Sequence, residues 1–207
     1  MSFLEQLNPE QREAVLHRDG PLLILAGAGS GKTRVICYRL AYLIGDGHAE
    51  PDQVLAVTFT NKAAEEMRAR VEQLLESESP RLWISTFHAF CARLLRREAP
   101  RIGLSRDFVI YDSVDQLSAI RQAMRDLNVD DKITPPRSLL SRISHAKNRM
   151  ESASDIRQNS HGFGDDQLAA VYDRYLLTLT QSGALDFDDL LLKAVTLFET
   201  SDDARER

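Results

Sequence analysis

Cysteine occurs only twice in this sequence, at Cys37 and Cys91, and neither residue belongs to a CxxC pair or a Cys/His cluster. A disulfide framework or a zinc site needs several such residues at short spacing. The sequence therefore indicates neither of them, and we expect both cysteines to be buried thiols.

Long apolar runs are also missing, since none approaches the roughly 20 residues that a membrane-spanning helix requires. The first residues, MSFLEQLNPEQ, lack the basic start and apolar core of a signal peptide. With 43% hydrophobic and 28% charged residues, the 207-residue chain is long enough to bury a substantial core. We expect a cytoplasmic protein of one domain, or of one domain with an insertion.

An excess of positive charge is absent too, because the formal net charge is −5. This balance argues against a uniformly basic nucleic-acid binder. Residues 81–150 nevertheless carry 13 Lys and Arg against 7 Asp and Glu. Such asymmetry fits a surface that faces a polyanion, but it equally fits scattered solvated helix faces.

Strands and helices alternate in the first part of the sequence. Apolar runs predict strands at 22–26, 53–59 and 81–86, and helical spacing predicts helices at 32–44 and 61–75. This order favours right-handed βαβ units, a parallel sheet and an α/β fold.

From about residue 88 the pattern becomes mostly helical. Stretch 151–164, with Ser, Asn and two Gly, is typical of an exposed loop. A capping box Ser113-x-x-Gln116 is expected to open one of the helices. The predicted helices are 88–98, 114–127, 137–150, 165–182 and 187–199.

A phosphate-binding pattern follows the first predicted strand. AGAGSGKT, residues 26–33, matches G-x-x-x-x-G-K-[ST] except that Ala26 replaces the first glycine. The backbone N–H groups of such a loop surround a phosphate, and the following helix adds its positive dipole. Lys32 reaches the β- and γ-phosphates and Thr33 ligates Mg²⁺. The predicted loop is Ala26, Gly27, Ala28, Gly29, Ser30, Gly31, Lys32 and Thr33.

A nucleoside triphosphatase also needs carboxylates that hold Mg²⁺ and orient water, usually on an apolar strand that ends in Asp-Glu. FVIYD ends at Asp112, but Ser113 follows it instead of a second acid. LDFDDLL contains Asp186, Asp188 and Asp189, but QSGA precedes it and does not resemble a strand. Because acids are favoured in the first turn of a helix, we interpret this cluster as a helix start.

Six motifs in a fixed order resemble the amino-terminal part of the UvrD/Rep/PcrA-type superfamily 1 DNA helicases, and the resemblance runs from end to end. It implies an incomplete RecA-like P-loop NTPase parallel sheet with an inserted, mostly helical subdomain. It also implies ATP and Mg²⁺ as cofactors, and single-stranded DNA and duplex junctions as partners. The motifs are LNPEQREAV (7–15), AGAGSGKTRV (26–35), AVTFTNKAAEEMRARV (56–71), STFHAFCARLLR (85–96), ISHAKN (143–148) and LDFDDLL (185–191).

The resemblance also implies a domain plan. Residues 1–89 would begin the RecA-like ATP-binding domain, 90–185 would be the inserted helical domain, and 186–207 would return toward the first domain. Helicases of this type continue with an Asp-Glu strand, a second RecA-like domain and an arginine finger. We therefore interpret the chain as an expressed fragment, a proteolytic fragment or a truncated gene product that lacks turnover by itself and works with the C-terminal domains of the same protein.

By the same resemblance, Gln11 would read adenine and Arg34 would join the nucleotide site, with Lys32 as the catalytic lysine and Thr33 as the metal ligand. For Gln11 a structural alternative stays open, because Asn8, Pro9 and Gln11 also make a good helix start.

The resemblance places two further groups on the single-stranded DNA side. An aromatic residue on a strand-to-helix turn can stack a base, and nearby hydroxyl, amide and ammonium groups can hold phosphates. The alternatives are a buried Phe59, helix caps at Thr60 or Asn61, and a structural His88. The implied DNA residues are Thr58, Phe59, Thr60, Asn61, Lys62, Thr86, Phe87 and His88.

Three functions follow as hypotheses. The favoured one is part of an ATP-dependent DNA helicase, with 3′–5′ movement and a role in DNA repair implied by resemblance alone. The second is a helicase–nuclease subunit of recombination with the same front motifs. The third is a non-motor P-loop ATP-binding protein, such as a regulator or kinase. Two stretches argue against this third hypothesis, TFTNKAAEEM and STFHAF.

Overall fold

The computed structural model describes residues 2–76, 82–160 and 162–206. The chain divides into two compact units, Met1–Phe90 and Cys91–Arg207. Both units mix helices with a small parallel sheet, which confirms the predicted α/β class in its coarse form. None of the described helices combines the length and apolar character needed to cross a membrane.

The first unit packs helices around a two-stranded sheet. Strand β1 (Leu55–Thr58) pairs in parallel with strand β2 (Trp83–Thr86), and Leu55 lies opposite Trp83. Residue 81, the first residue of the third predicted strand (81–86), lies outside the described residues. Short 3₁₀ helices cover Ser2–Gln6 and Pro51–Gln53, and the α-helices are α1 (Pro9–Leu16), α2 (Lys32–Gly45) and α3 (Asn61–Leu75). Helix α4 (Phe87–Glu98) begins in this unit and continues into the second.

Helices α2 and α3 form where the apolar spacing predicts them. In α3 the buried residues Ala64, Met67 and Val71 recur every three or four positions, so they share one face. Cys37 of α2 is fully buried and has a free thiol, as predicted. These faces meet in a single apolar core within the unit.

The predicted strand 22–26 does not form. The segment has no regular secondary structure and its exposure alternates, with Leu22 and Ile24 at 41% and 37% and Leu23 and Leu25 at 80% and 87%. A strand also needs a neighbouring backbone to bond to. Neither sheet of the described residues contains this segment, so the apolar pattern is present without a hydrogen-bonded ladder.

The second unit is mainly helical. Strand β3 (Val109–Ile110) pairs in parallel with strand β4 (Ala184–Leu185). Its core includes the fully buried Ile120 and Tyr175. A 3₁₀ helix covers Ala99–Ile102, and the α-helices are α5 (Ser113–Asp126), α6 (Pro136–Asn148), α7 (Ala153–Gln158), α8 (Phe163–Gln181), α9 (Phe187–Thr200) and α10 (Asp202–Arg205).

The structure corrects three predictions in this unit, two through helix capping and one through a short strand. Stretch 151–164 contains helix α7, because Ser152 and Asp155 form a capping box. Helix α5 is capped by Asp112 with Asp115, not by Ser113 with Gln116, since a carboxylate one residue earlier accepts the free N–H groups. QSGA runs into strand β4, so LDFDDLL does follow a strand, although one of only two residues.

Candidate nucleotide and DNA sites

The predicted phosphate loop leads directly into helix α2. Gly31 is the N-cap with φ 86°, and no side chain caps the first N–H groups of the helix. Open N–H groups at a helix start attract anions. The positive φ favours glycine at position 31, and a Cβ there would also lie 3.0 Å from the Gln11 amide nitrogen, which would have to shift slightly.

Lys32 bonds to the loop's own carbonyl oxygens. Its Nζ donates to the oxygens of Ala26 at 3.1 Å and Gly27 at 2.7 Å. The Ser30 hydroxyl donates to the same Gly27 oxygen at 2.8 Å. The ammonium group therefore already lies among oxygen acceptors, and phosphate oxygens are the same kind of partner. Thr33 is exposed in the first turn of α2.

Gln11 contacts both the helix start and the loop. Its backbone N–H donates to Asn8 Oδ1 at 2.8 Å, and its Oε1 accepts from Asn8 N at 3.3 Å, so the capping box is confirmed. Its Nε2 donates to the Ser30 carbonyl oxygen at 3.1 Å. The amide thus lies beside the loop, but both of its polar ends have partners, which a purine base would have to replace.

An exposed aromatic pair lies at the carboxyl ends of the two strands. Phe59 follows β1 and is 93% exposed, so the alternative of a buried Phe59 is wrong. Phe87 follows β2 and is 41% exposed, and the two ring centroids are 5.7 Å apart at 44°. Parallel strands present their carboxyl ends at one edge, where open α/β sheets bind ligands.

Polar side chains around this pair have mostly structural contacts. Thr58 is buried and its hydroxyl donates to the Thr60 carbonyl oxygen at 3.0 Å. The Thr60 hydroxyl accepts from Ala63 N at 3.2 Å and caps α3, as the structural alternative holds. Thr86 Oγ1 accepts from Ala89 N at 3.2 Å.

The remaining DNA candidates of the unit differ in exposure. Asn61 and Lys62 are exposed in the first turn of α3, and the Lys62 side chain is 87% exposed with Glu66 4.0 Å away. His88 is half-buried. Phosphate contacts by Asn61 and Lys62 are therefore sterically open, whereas Thr58 is closed to a ligand.

The acidic cluster of LDFDDLL belongs to the second unit, whereas the phosphate loop belongs to the first. Asp186 caps α9 in a capping box with Asp189. Lys147 is 1% exposed, and its Nζ donates to Asp186 Oδ2 and Asp189 Oδ1, both at 2.7 Å. The Tyr175 hydroxyl donates to Asp186 Oδ2 at 2.9 Å. The interpretation as a helix start is confirmed, with a buried ion network added to it.

Burial raises the pKa of two groups in this network, Asp189 and Tyr175. Desolvation raises the pKa of the Asp189 carboxyl, and the neighbouring Asp186 charge raises it further against the opposing effect of Lys147. The same burial, with the Asp186 charge, raises the pKa of Tyr175, which stays a hydrogen-bond donor. Sequence reasoning missed Lys147, although it lies one helical turn after the buried Ile143 and so on the apolar stripe of α6.

The chain belongs to the UvrD/REP helicase family, because the model of that family's N-terminal domain matches residues 7–207. Individual relatives are curated as "ATP-dependent DNA helicase PcrA". The chain is 46% identical to the protein of Staphylococcus epidermidis over 198 residues, 47% to that of Bacillus subtilis over 197, and 45% to that of Staphylococcus aureus over 198.

These matches cover 95–96% of the chain but only 27% of each relative. The chain thus spans about a quarter of the length of the curated relatives it matches. They are similar to it throughout its two units, and the motifs used above fall inside the matched part.

Proposed function

We propose that the chain is the ATP-binding and partial single-stranded-DNA-binding portion of an ATP-dependent DNA helicase. The observation that carries this proposal is the exposed Phe59–Phe87 pair, which lies in the same compact unit as the glycine-rich loop. A helicase needs its nucleotide site and its DNA-binding site on one rigid unit. The names of the PcrA relatives support the same activity.

The nucleotide part assigns one role to each group. Gly27–Lys32 would hold the phosphates through backbone N–H groups, Lys32 would neutralise the β- and γ-phosphates, and Gln11 and Arg34 would contact the base. Mg²⁺, held through the Thr33 hydroxyl, would offset phosphate charge. The exposed loop and the uncapped start of α2 fit such a ligand.

The domain plan is part of the proposal. Residues 1–89 would begin a RecA-like domain, 90–185 would be an insertion and 186–207 would lead back toward the sheet. The exposed, strand-like stretch 22–25 supports a larger sheet, because its backbone would gain partners from further strands. Such strands, with an acid pair, would come from C-terminal domains of the same protein.

We expect the 207-residue chain alone to release no phosphate from ATP above background, even with single-stranded DNA. Asp186 and Asp189 are bonded to Lys147, and an arginine supplied by another domain is worth roughly 10³–10⁵ in rate. A DNA-stimulated phosphate-release assay measures this. Robust turnover would show that Asp112 or the Asp186–Asp189 cluster serves as the metal site, contrary to the proposal.

Replacing Phe59 by alanine should weaken binding of single-stranded DNA by about 1–3 kcal/mol whatever the base sequence, because an exposed ring stacks any base. Lys62→Ala should mainly reduce the salt dependence of binding, by about one ion per phosphate contact. Fluorescence anisotropy with a labelled oligonucleotide at two salt concentrations separates the two effects.

Phe163 provides the matched control. It is 81% exposed but lies in the second unit, so Phe163→Ala should leave DNA affinity unchanged. An equal loss in both variants would mean nonspecific apolar binding. No loss in Phe59→Ala, with circular dichroism showing a folded chain, would remove Phe59 from the DNA site. Absence of any DNA binding at low salt would favour the non-motor hypothesis.

A further inference from the structure

The side chain of Arg34 is held by two neighbours that the site assignments above leave out. Its Nη2 donates to the backbone oxygen of Gln6 at 2.9 Å and approaches the Tyr38 hydroxyl at 3.4 Å. Its guanidinium carbon lies 5.1 Å from the centre of the Tyr38 ring. The Tyr38 hydroxyl in turn donates to Gln6 Oε1 at 2.9 Å. The Tyr38 hydroxyl therefore links the side chains of Arg34 and Gln6, and the Gln6 backbone adds a second contact to Arg34.

Tyr38 anchors this network in the core. It is 6% exposed, and Phe3 packs against it edge-on with 5.5 Å between ring centres. A buried aromatic ring has little freedom to rotate in a close-packed interior. The position of its hydroxyl is therefore fixed, and that hydroxyl holds the Gln6 amide oxygen and the Nη2 atom of Arg34.

Arg34 lies two residues after Lys32, in the first turn of α2. It also lines a cavity of about 410 Å³, together with Arg70, Gln73 and Leu74 of α3. A guanidinium is planar and stacks through its faces. The guanidinium thus lies close to the Tyr38 ring and also borders an open cavity, through which a flat ligand can reach it.

We propose that Tyr38 and Gln6 are positioning residues that hold Arg34 ready to contact the base of the bound nucleotide. The inference rests on the nucleotide site proposed above. A long side chain that is already immobilised loses less conformational entropy on binding. The network therefore contributes to base recognition, whereas the loop and Lys32 recognise the phosphates.

The test compares ATP with inorganic tripolyphosphate, which has the phosphates without the base. Tyr38→Phe keeps the ring and removes only the hydroxyl. It should raise the Kd for Mg-ATP about three- to tenfold, because that is the change in affinity expected for the loss of one hydrogen bond. The Kd for Mg-tripolyphosphate should stay within about twofold of the wild-type value. Isothermal titration calorimetry measures both ligands.

Tyr42→Phe is the matched control. Tyr42 lies one turn further along α2, is 5% exposed, and accepts from Arg18 Nη2 at 2.6 Å, away from Arg34. Its substitution should change neither Kd. Gln6→Ala, at an exposed position, should act in the same direction as Tyr38→Phe, and the double variant should add nothing further because both break one network.

Three results would overturn the inference. Equal losses for ATP and tripolyphosphate in Tyr38→Phe would show that the network only supports the loop. An unchanged ATP affinity in both Tyr38→Phe and Gln6→Ala would show that Arg34 needs no positioning, while the nucleotide site itself would stand. A wild-type chain that binds neither ligand would overturn the nucleotide site and this inference with it. Should Tyr38→Phe fail to fold, Gln6→Ala gives the same comparison.

Discussion

Substitution of Lys32 by alanine should abolish Mg-ATP binding, with a loss of affinity of about 100-fold or more. The ammonium group would supply charge-assisted hydrogen bonds to the phosphates, each worth about 1.5–3 kcal/mol. In the structure it donates to two carbonyl oxygens of the loop, and phosphate oxygens would replace these acceptors. Isothermal titration calorimetry on the wild type and the variant measures the difference.

Lys62→Ala is the control for this experiment, because it removes the same charge from an exposed position of the same unit. Its ATP affinity should equal that of the wild type. Unchanged affinity in Lys32→Ala would refute the assignment of the phosphate loop. A mild loss would instead mean that the backbone N–H groups supply most of the binding energy.

Replacing Lys147 by methionine should destabilise the second unit by about 3–5 kcal/mol, because two buried carboxylates would lose the ammonium group that bonds to both of them. Asp186 and Asp189 are 1% and 7% exposed, so water cannot readily take its place. Urea denaturation followed by circular dichroism gives the change in the free energy of unfolding. Lys132→Met, at an exposed position of the same unit, should change it by less than about 0.5 kcal/mol.

Neutralising the carboxylates should recover most of this loss. In a chain with Lys147→Met, Asp186→Asn and Asp189→Asn the buried charges are gone together, while asparagine still caps a helix. If the triple variant is as unstable as Lys147→Met alone, the lysine stabilises the unit through packing of its carbon chain and not through its charge.

Helix positions were predictable where one face is apolar and the ends carry strong local signals. Helix α2 ends at Gly45 and α3 begins after the Thr60 cap, and both follow their apolar spacing. Strand 22–26 has an equally clear pattern, yet a strand depends on a neighbour that local sequence does not specify. The pairing of β3 with β4 joins residues more than 70 positions apart, which no local pattern indicates.

In the candidate site, too, features set by local sequence were predictable and features set by tertiary packing were not. The loop at 26–33 is recognisable because its glycines and lysine lie within one short stretch of sequence, and the structural alternative for Gln11, a capping box with Asn8 at the start of α1, is also observed. The contact of Gln11 with Ser30, the pairing of Phe59 with Phe87 and the burial of Lys147 all depend on tertiary packing. Residue type alone would have placed the lysine on the surface and the phenylalanine in the core.

The exposed segment Leu22–Leu25 also affects how the isolated chain behaves in solution. An exposed apolar stretch that belongs to neither sheet of the described residues is a site on which a second copy can add a strand. The same stretch runs into the phosphate loop at Ala26, so such self-association would constrain the loop and compete with nucleotide. Apparent ATP affinity would then fall as protein concentration rises, which makes dilute solution the appropriate condition for every binding measurement proposed above.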